Sequence, residues 1–203
     1  AVFVLDEMVS GYRAGWPGAH IRHGVTADMV TWGKGVGNGF SFCALTGRAD
    51  IMDLGGIKQN RVPRVFLIST THGGETHCIA AARAVLREYR ENGVLHRHAE
   101  IVEMAAGKMR EAVGDLGLEE AIGIHESTWR VVCLFKDRVG QVSPALRTLF
   151  MQEMIRRGVL FQGLFLPCFT HVDEDIAHLA EAFRCACSVY RCALEDGVGG
   201  FLT

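Results

Sequence analysis

The sequence has no uninterrupted apolar run near the roughly 20 residues that a helical bilayer crossing requires, so no membrane span is expected. It also lacks concentrated positive charge. Its 21 basic and 23 acidic residues leave a formal net charge of −2. Nucleic acid is therefore not an expected partner, because counterion release needs clustered Lys and Arg. No C-x-x-C pair occurs among the seven cysteines, and their odd number favours reduced thiols over a disulfide framework. His72, His77 and His171 lie near cysteines, but the ligand spacings of a structural zinc site are missing, so no metal is expected. There is no internal repeat or low-complexity tract, and no charged segment followed by an apolar one opens the chain. Together these absences lead to the expectation of a soluble, cytoplasmic, globular protein.

What is present is a chain of 203 residues, 49% hydrophobic, long enough to bury a sizeable core. It opens without Met on "AVFVLDE", an apolar run that reads as a fully buried strand over residues 2–5. Asp6 and Glu7 then fall at its C-terminal edge, where open α/β sheets place ligands. A buried strand needs neighbours on both sides, and few strong strand runs come after it. The chain is therefore expected to be the C-terminal portion of something larger, with a missing half upstream.

"GYRAGWPGAHIRHGVTADMV" reads as a surface excursion, "DMVTWGK" as a short strand, and "SFCALTGRADIMD" as a strand followed by a helix from about Ala49. "RVFLIST" is a further apolar strand that ends at "TTHGGETH". Ile79, Ala82, Val85, Leu86 and Tyr89 recur at helical spacing from Glu75 to about Arg90, and a second helix is expected from Leu95 to Leu116. "WRVVCLF" is a strand, and Ser143 and Pro144 open a helix that stops at Gly158. "VLFQGLFLP" is again strand-like, and "HVDEDIAHLAEAFRCACSVYRCALEDG" is a long helix opened by acidic residues.

The stretch "TWGKGVGNG" sets Lys34 among four glycines. A Walker loop would need Ser or Thr after the lysine, where Gly35 stands, and a dinucleotide fingerprint would need glycine where Phe40 stands. A plain glycine-rich turn with an exposed lysine remains open. So does covalent chemistry: Asp6, Lys34 and the hydroxyls of Ser69, Thr70 and Thr71 could meet at one sheet edge, supplying an acid, an amine and a phosphate ligand. Pyridoxal phosphate uses such a set, with the flanking glycines letting the cofactor approach the backbone. Taken singly, Asp6 also suits a structural ion pair, and Thr71 a helix N-cap.

"VFVLDEMVSGYR", "GVTADMVTWGKGVGNGFSFCALTGRADIMD" and "STTHGGETHCIAAARAVL" resemble three consecutive cofactor-site blocks of the class III aminotransferases of fold type I. The branch they look most like holds glutamate-1-semialdehyde aminomutase and its sugar-aminotransferase relatives. The resemblance implies an α/β fold: residues 1–95 would be part of the large parallel-sheet, cofactor-binding domain with a linking helix, and residues 96–203 a smaller C-terminal α+β domain. It implies pyridoxal 5′-phosphate as cofactor, Asp6 paired with the pyridine nitrogen, Met8 packed on a ring face, and Lys34 as the Schiff-base lysine. Thr71 matches the threonine that reaches the cofactor phosphate of the neighbouring subunit in a homodimer. This block departs from the family's usual ending, with Gly73, Gly74, Glu75 and Thr76 in its place. Glu7, Tyr12 and Arg13 read as structural.

The implied activity moves an amino group from a small-molecule donor to an aldehyde or ketone acceptor, an oxo-sugar being the first choice. Intramolecular amino transfer of the aminomutase type is the alternative, and a non-catalytic fragment or partner chain a further one. Lys34 must be neutral to act, which calls for a buried setting. Arg13, Arg48, Arg61, Arg64 and Arg130 are available for a substrate carboxylate, and no motif selects among them.

Overall fold

Strand β1, Val4–Asp6, pairs in parallel with β2, Met29–Trp32, in the register Val4↔Met29, Leu5↔Val30 and Asp6↔Thr31. The computed structural model describes residues 1–56, 63, 71 and 73–203, which fall into two compact units, Ala1–Leu95 and His96–Thr203.

In the first unit the sheet order is β1-β2-β3, with β3, Ala44–Gly47, antiparallel to β2. The loop between β1 and β2 carries one helical turn, α1, Ala19–Arg22; after β3 come α2, Ala49–Met52, and then α3, Thr76–Glu91. One carboxylate ties the sheet together: Asp28 accepts the Phe3 amide on Oδ2 at 2.8 Å and the Arg48 guanidinium on Oδ1 at 2.8 Å. These two bonds, the amide foremost, hold its carboxyl below the ordinary value.

Of the two neighbours expected of a buried first strand, the described residues supply one. Among the described residues β1 pairs only with β2, and Val2, Phe3 and Val4 are 56%, 46% and 50% exposed. Of the face expected of α3, Ala82 is buried and Val85, Leu86 and Tyr89 are partly buried, whereas Ile79 is exposed and Cys78 is inside in its place. The expected strand "RVFLIST" lies outside the described residues.

The second unit is built on the antiparallel sheet β4-β5-β6, formed by Ile122–Ser127, Arg130–Phe135 and Leu164–Phe165. The helices are α4, Val94–Asp115; α5, Pro144–Arg156; and α6, Asp173–Asp196. α5 starts and stops on local signals. Ser143 Oγ accepts the Leu146 amide at 3.3 Å, and Pro144 stands first in the helix. At the other end Gly158 takes φ +78°, its N–H bonding to Ile155 O while that of Val159 reaches Met154 O. The strand expected along "VLFQGLFLP" shortens to Leu164–Phe165, because Gly163 turns the chain with φ +79°. Phe150 centres the core, its ring 4.7 Å from Phe135 and 4.8 Å from Phe183. Buried Tyr190 donates its hydroxyl to Lys136 O at 2.6 Å.

Among the described residues no helix is long and apolar enough to cross a membrane.

Phe150→Ala is expected to cost about 3–5 kcal/mol, since a ring with no exposed surface leaves a cavity, and Ser143→Ala about 1 kcal/mol. Denaturant unfolding followed by circular dichroism measures both; equal losses would contradict the assigned roles.

Candidate functional site

Asp6 is the last residue of β1 and sits beside Thr31 across the parallel pair. Its Oδ1 accepts the Met8 amide at 2.8 Å and the Thr31 hydroxyl at 3.0 Å. Among the described residues no hydrogen bond falls on Oδ2. The Met8 amide foremost, then the Thr31 hydroxyl, with the Lys34 charge adding a smaller share, hold the Asp6 carboxyl below its usual value. At neutral pH the end of β1 therefore carries a fixed anion.

Three residues beyond Thr31 the chain has left β2 and makes a single 3₁₀ turn, Lys34–Val36. Lys34 adopts φ +48°, the left-handed region. For a non-glycine residue this costs roughly 1–3 kcal/mol and persists only where the surroundings enforce it. Four glycines lie in the same stretch and would take this conformation with less strain, yet the turn uses the lysine. Lys34 is exposed, contrary to the burial expected for a covalent lysine.

The neighbouring glycines make room for the protein's own groups rather than for a ligand alone. A Cβ on Gly33 would fall 2.5 Å from Met8 Cε, one on Gly35 3.0 Å from an Arg13 guanidinium nitrogen, and one on Gly37 2.3 Å from Phe40 O. Met8 and Arg13 come just after β1, so the loop that presents Lys34 is moulded against the segment that carries Asp6. Arg13 is further held by a 2.9 Å bond from Nη1 to Val9 O.

Behind Asp6 lies a polar core. Glu7 is 1% exposed, and its Oε1 accepts the His20 amide at 2.8 Å and lies 2.9 Å from His20 Nδ1. Its Oε2 accepts the Ser10 hydroxyl. Burial opposes the charge on Glu7, but the bonds from Ser10 and His20 together outweigh it and hold the carboxyl below its ordinary value. A side chain on Gly18 would strike Glu7 Oε1 at 2.6 Å, so only glycine lets the loop close over the carboxylate. Tyr12 stands against Trp16, Trp32 and Tyr89 with ring centroids 5.2–6.3 Å away. Sequence reasoning did not identify Thr31, Ser10 or His20 as members of this constellation. Thr31 had a signal: it lies near the end of the strand adjacent to Asp6.

Thr71 is an exposed turn residue, and its hydroxyl has no hydrogen-bond partner among the described residues. It does not cap α3, whose N-cap position is Glu75. Ser69 and Thr70 lie outside the described residues, as do Arg61 and Arg64. Of the remaining arginines proposed for a carboxylate, Arg48 is committed to Asp28 and Asp50, and Arg130 lies 4.5 Å over the Trp129 ring in the second unit. Arg13 alone of the described candidates touches the Lys34 loop.

Glu7→Gln is expected to destabilise by about 1–3 kcal/mol at neutral pH, because an amide cannot accept from all the donors aimed at the carboxylate. The Glu7 carboxyl is depressed in the fold, so its contribution is complete above the ordinary value of 4.5 and fades as pH falls through the lower folded value. Stability measured against pH should lose this acid limb in the variant.

The family model for aminotransferase class-III matches residues 1–115. A 3-aminobutyryl-CoA aminotransferase of Cloacimonas acidaminovorans is 29% identical over 190 residues, covering 90% of this chain and 42% of that protein. A glutamate-1-semialdehyde 2,1-aminomutase of Methanoculleus marisnigri is 28% identical over 201 residues, covering 90% and 44%. A solved transaminase with PLP bound superposes with a TM-score of 0.81 at 22% identity, over 96% of this chain and 46% of that one. An omega-transaminase from Sphaerobacter thermophilus does so with 0.80 at 18%, over 94% and 44%. The chain thus spans less than half the length of these relatives, and the fold is that of their fold type I architecture. With the family model matching more than half of its residues, the chain belongs to the class-III aminotransferases, whose cofactor is pyridoxal phosphate.

Proposed function

We propose that this chain carries the lysine-and-aspartate part of an aminotransferase that moves an amino group from a small-molecule donor to an aldehyde or ketone. Lys34 and Asp6 are the catalytic residues, and Met8 and Thr71 further cofactor contacts. The observation that carries the reading is a lysine held in the left-handed conformation, three residues beyond the strand position that faces the anionic Asp6. These residues fit pyridoxal phosphate: Asp6 is ionised with Oδ2 left to accept, and Lys34 offers an exposed amine.

When bound, pyridoxal phosphate supplies an electron sink for the pair released at the substrate's α-carbon. Asp6 would accept a hydrogen bond from the ring nitrogen and keep it protonated, a role that needs the carboxylate form secured by Met8 and Thr31. Lys34 would hold the cofactor, and its amine would take a proton from the α-carbon and return it as general base and acid. Met8, beside Gly33, suits packing on the ring. The exposed Thr71 hydroxyl suits a phosphate on a neighbouring subunit, and so a homodimer.

An oxo-sugar acceptor rests on "STTHGGETH", which resembles sugar and secondary-metabolite aminotransferases more than the aminomutase. Intramolecular amino transfer is the second reading, favoured by the 28% identity to an aminomutase along 201 residues. All seven thiols are free, which suits the reducing cytoplasm.

Borohydride treatment of the full chain with pyridoxal phosphate, followed by peptide mass spectrometry, should find the cofactor fixed on Lys34. Lys34→Gly should lose that label while stability holds or rises by about 1 kcal/mol, since glycine relieves the left-handed strain. Label spread evenly over Lys108, Lys136 and Lys34 would overturn the assignment. Label on Lys34 with no turnover of any amine donor would instead identify a non-catalytic partner chain.

A further inference from the structure

The first turn of α3 draws together three side chains that the cofactor site does not use. Cys78 Sγ lies 3.5 Å from Glu75 Oε2, and His77 Nε2 lies 3.5 Å from the same oxygen. All three ligand atoms are within 4.8 Å of one another. Around a tetrahedral zinc ion, bond lengths of about 2.0–2.3 Å separate neighbouring ligand atoms by roughly 3.3–3.7 Å. Two of the three pairs already have that spacing. The third closes with a small rotation of His77, whose exposed side chain has room to make it.

The donor set also selects the ion. A thiolate and an imidazole favour zinc over magnesium or calcium, which take oxygen ligands. Cys78 is 3% exposed while Glu75 is half-buried and His77 exposed, so an ion here would sit at the rim with a position open to water. Support comes from the loop after Lys34. The Ser41 amide faces the Cys78 sulfur. The Phe40 ring meets that of His77 edge-on, with centroids 6.0 Å apart. Such outer contacts orient first ligands in metal sites.

We propose that Glu75, His77 and Cys78 bind a zinc ion, with water as the fourth ligand, and that the ion braces the start of α3 against the loop that carries Lys34. The Cys78 S–H bond breaks, a sulfur–zinc bond forms, and one proton passes to solvent; no electron is transferred. The expectation of no metal rested on sequence motifs such as C-x-x-C, and this cluster departs from them: Glu75, His77 and Cys78 converge within one helical turn.

The test is equilibrium dialysis of the full chain against zinc, without pyridoxal phosphate, and cobalt substitution followed by absorbance. One ion per chain and a thiolate-to-cobalt charge-transfer band are expected. Cys78→Ser should abolish the band, and His77→Ala and Glu75→Gln should each weaken binding about tenfold or more. Cys43→Ser and Cys168→Ser, at exposed thiols, should change neither. His77 is exposed, so its removal leaves the fold intact and keeps the test decisive. Uptake that survives His77→Ala unchanged, a band that survives Cys78→Ser, or less than one ion per chain would overturn the proposal.

Discussion

Everything at this site depends on the register between β1 and β2. Side chains alternate across a sheet, so a slip of one residue would carry Asp6 to the opposite face and away from Thr31. The register is held from its far end by Asp28, whose two carboxylate oxygens engage the backbone before β1 and the Arg48 just past β3. A single side chain thereby ties both outer strands to the central one. The parallel pairing then places the ends of β1 and β2 side by side, and the loops leaving the two strands are brought into contact.

Those two loops interlock. Met8 and Arg13, from the segment after β1, occupy the space that side chains on Gly33 and Gly35 would take, and Phe40 O does the same at Gly37. This over-determination lets the left-handed Lys34 persist despite its strain. Beneath it, the Glu7 carboxylate gathers donors from Ser10 and His20, so the turn after Asp6 is anchored in a polar core rather than an apolar one. A charge with 1% exposure is tolerable there because each oxygen has a donor aimed at it.

Much of this architecture is legible in the sequence where local chemistry decides the structure. Ser143, Pro144 and Gly158 bound α5 through capping and backbone preference, which act within a few residues. That Asp6 and Lys34 come at the ends of, or just beyond, two neighbouring strands is visible because each follows an apolar run. Strand β4 is not: Gly123, His125 and Glu126 interrupt its apolar pattern, and its pairing with β5 is what makes it a strand. The glycines of the lysine loop read as room for a cofactor, whereas the groups that fill the space at Gly33 and Gly35 belong to Met8 and Arg13, far away along the chain. Exposure of Lys34 and of β1 is equally hidden, since burial is a property of neighbours rather than of a segment.

That first strand leaves one edge open to pairing among the described residues. Val2, Phe3 and Val4 line a sheet edge whose outer backbone groups have no strand partner among the described residues. An apolar edge of this kind is a template for any other extended segment, including the same edge of another copy.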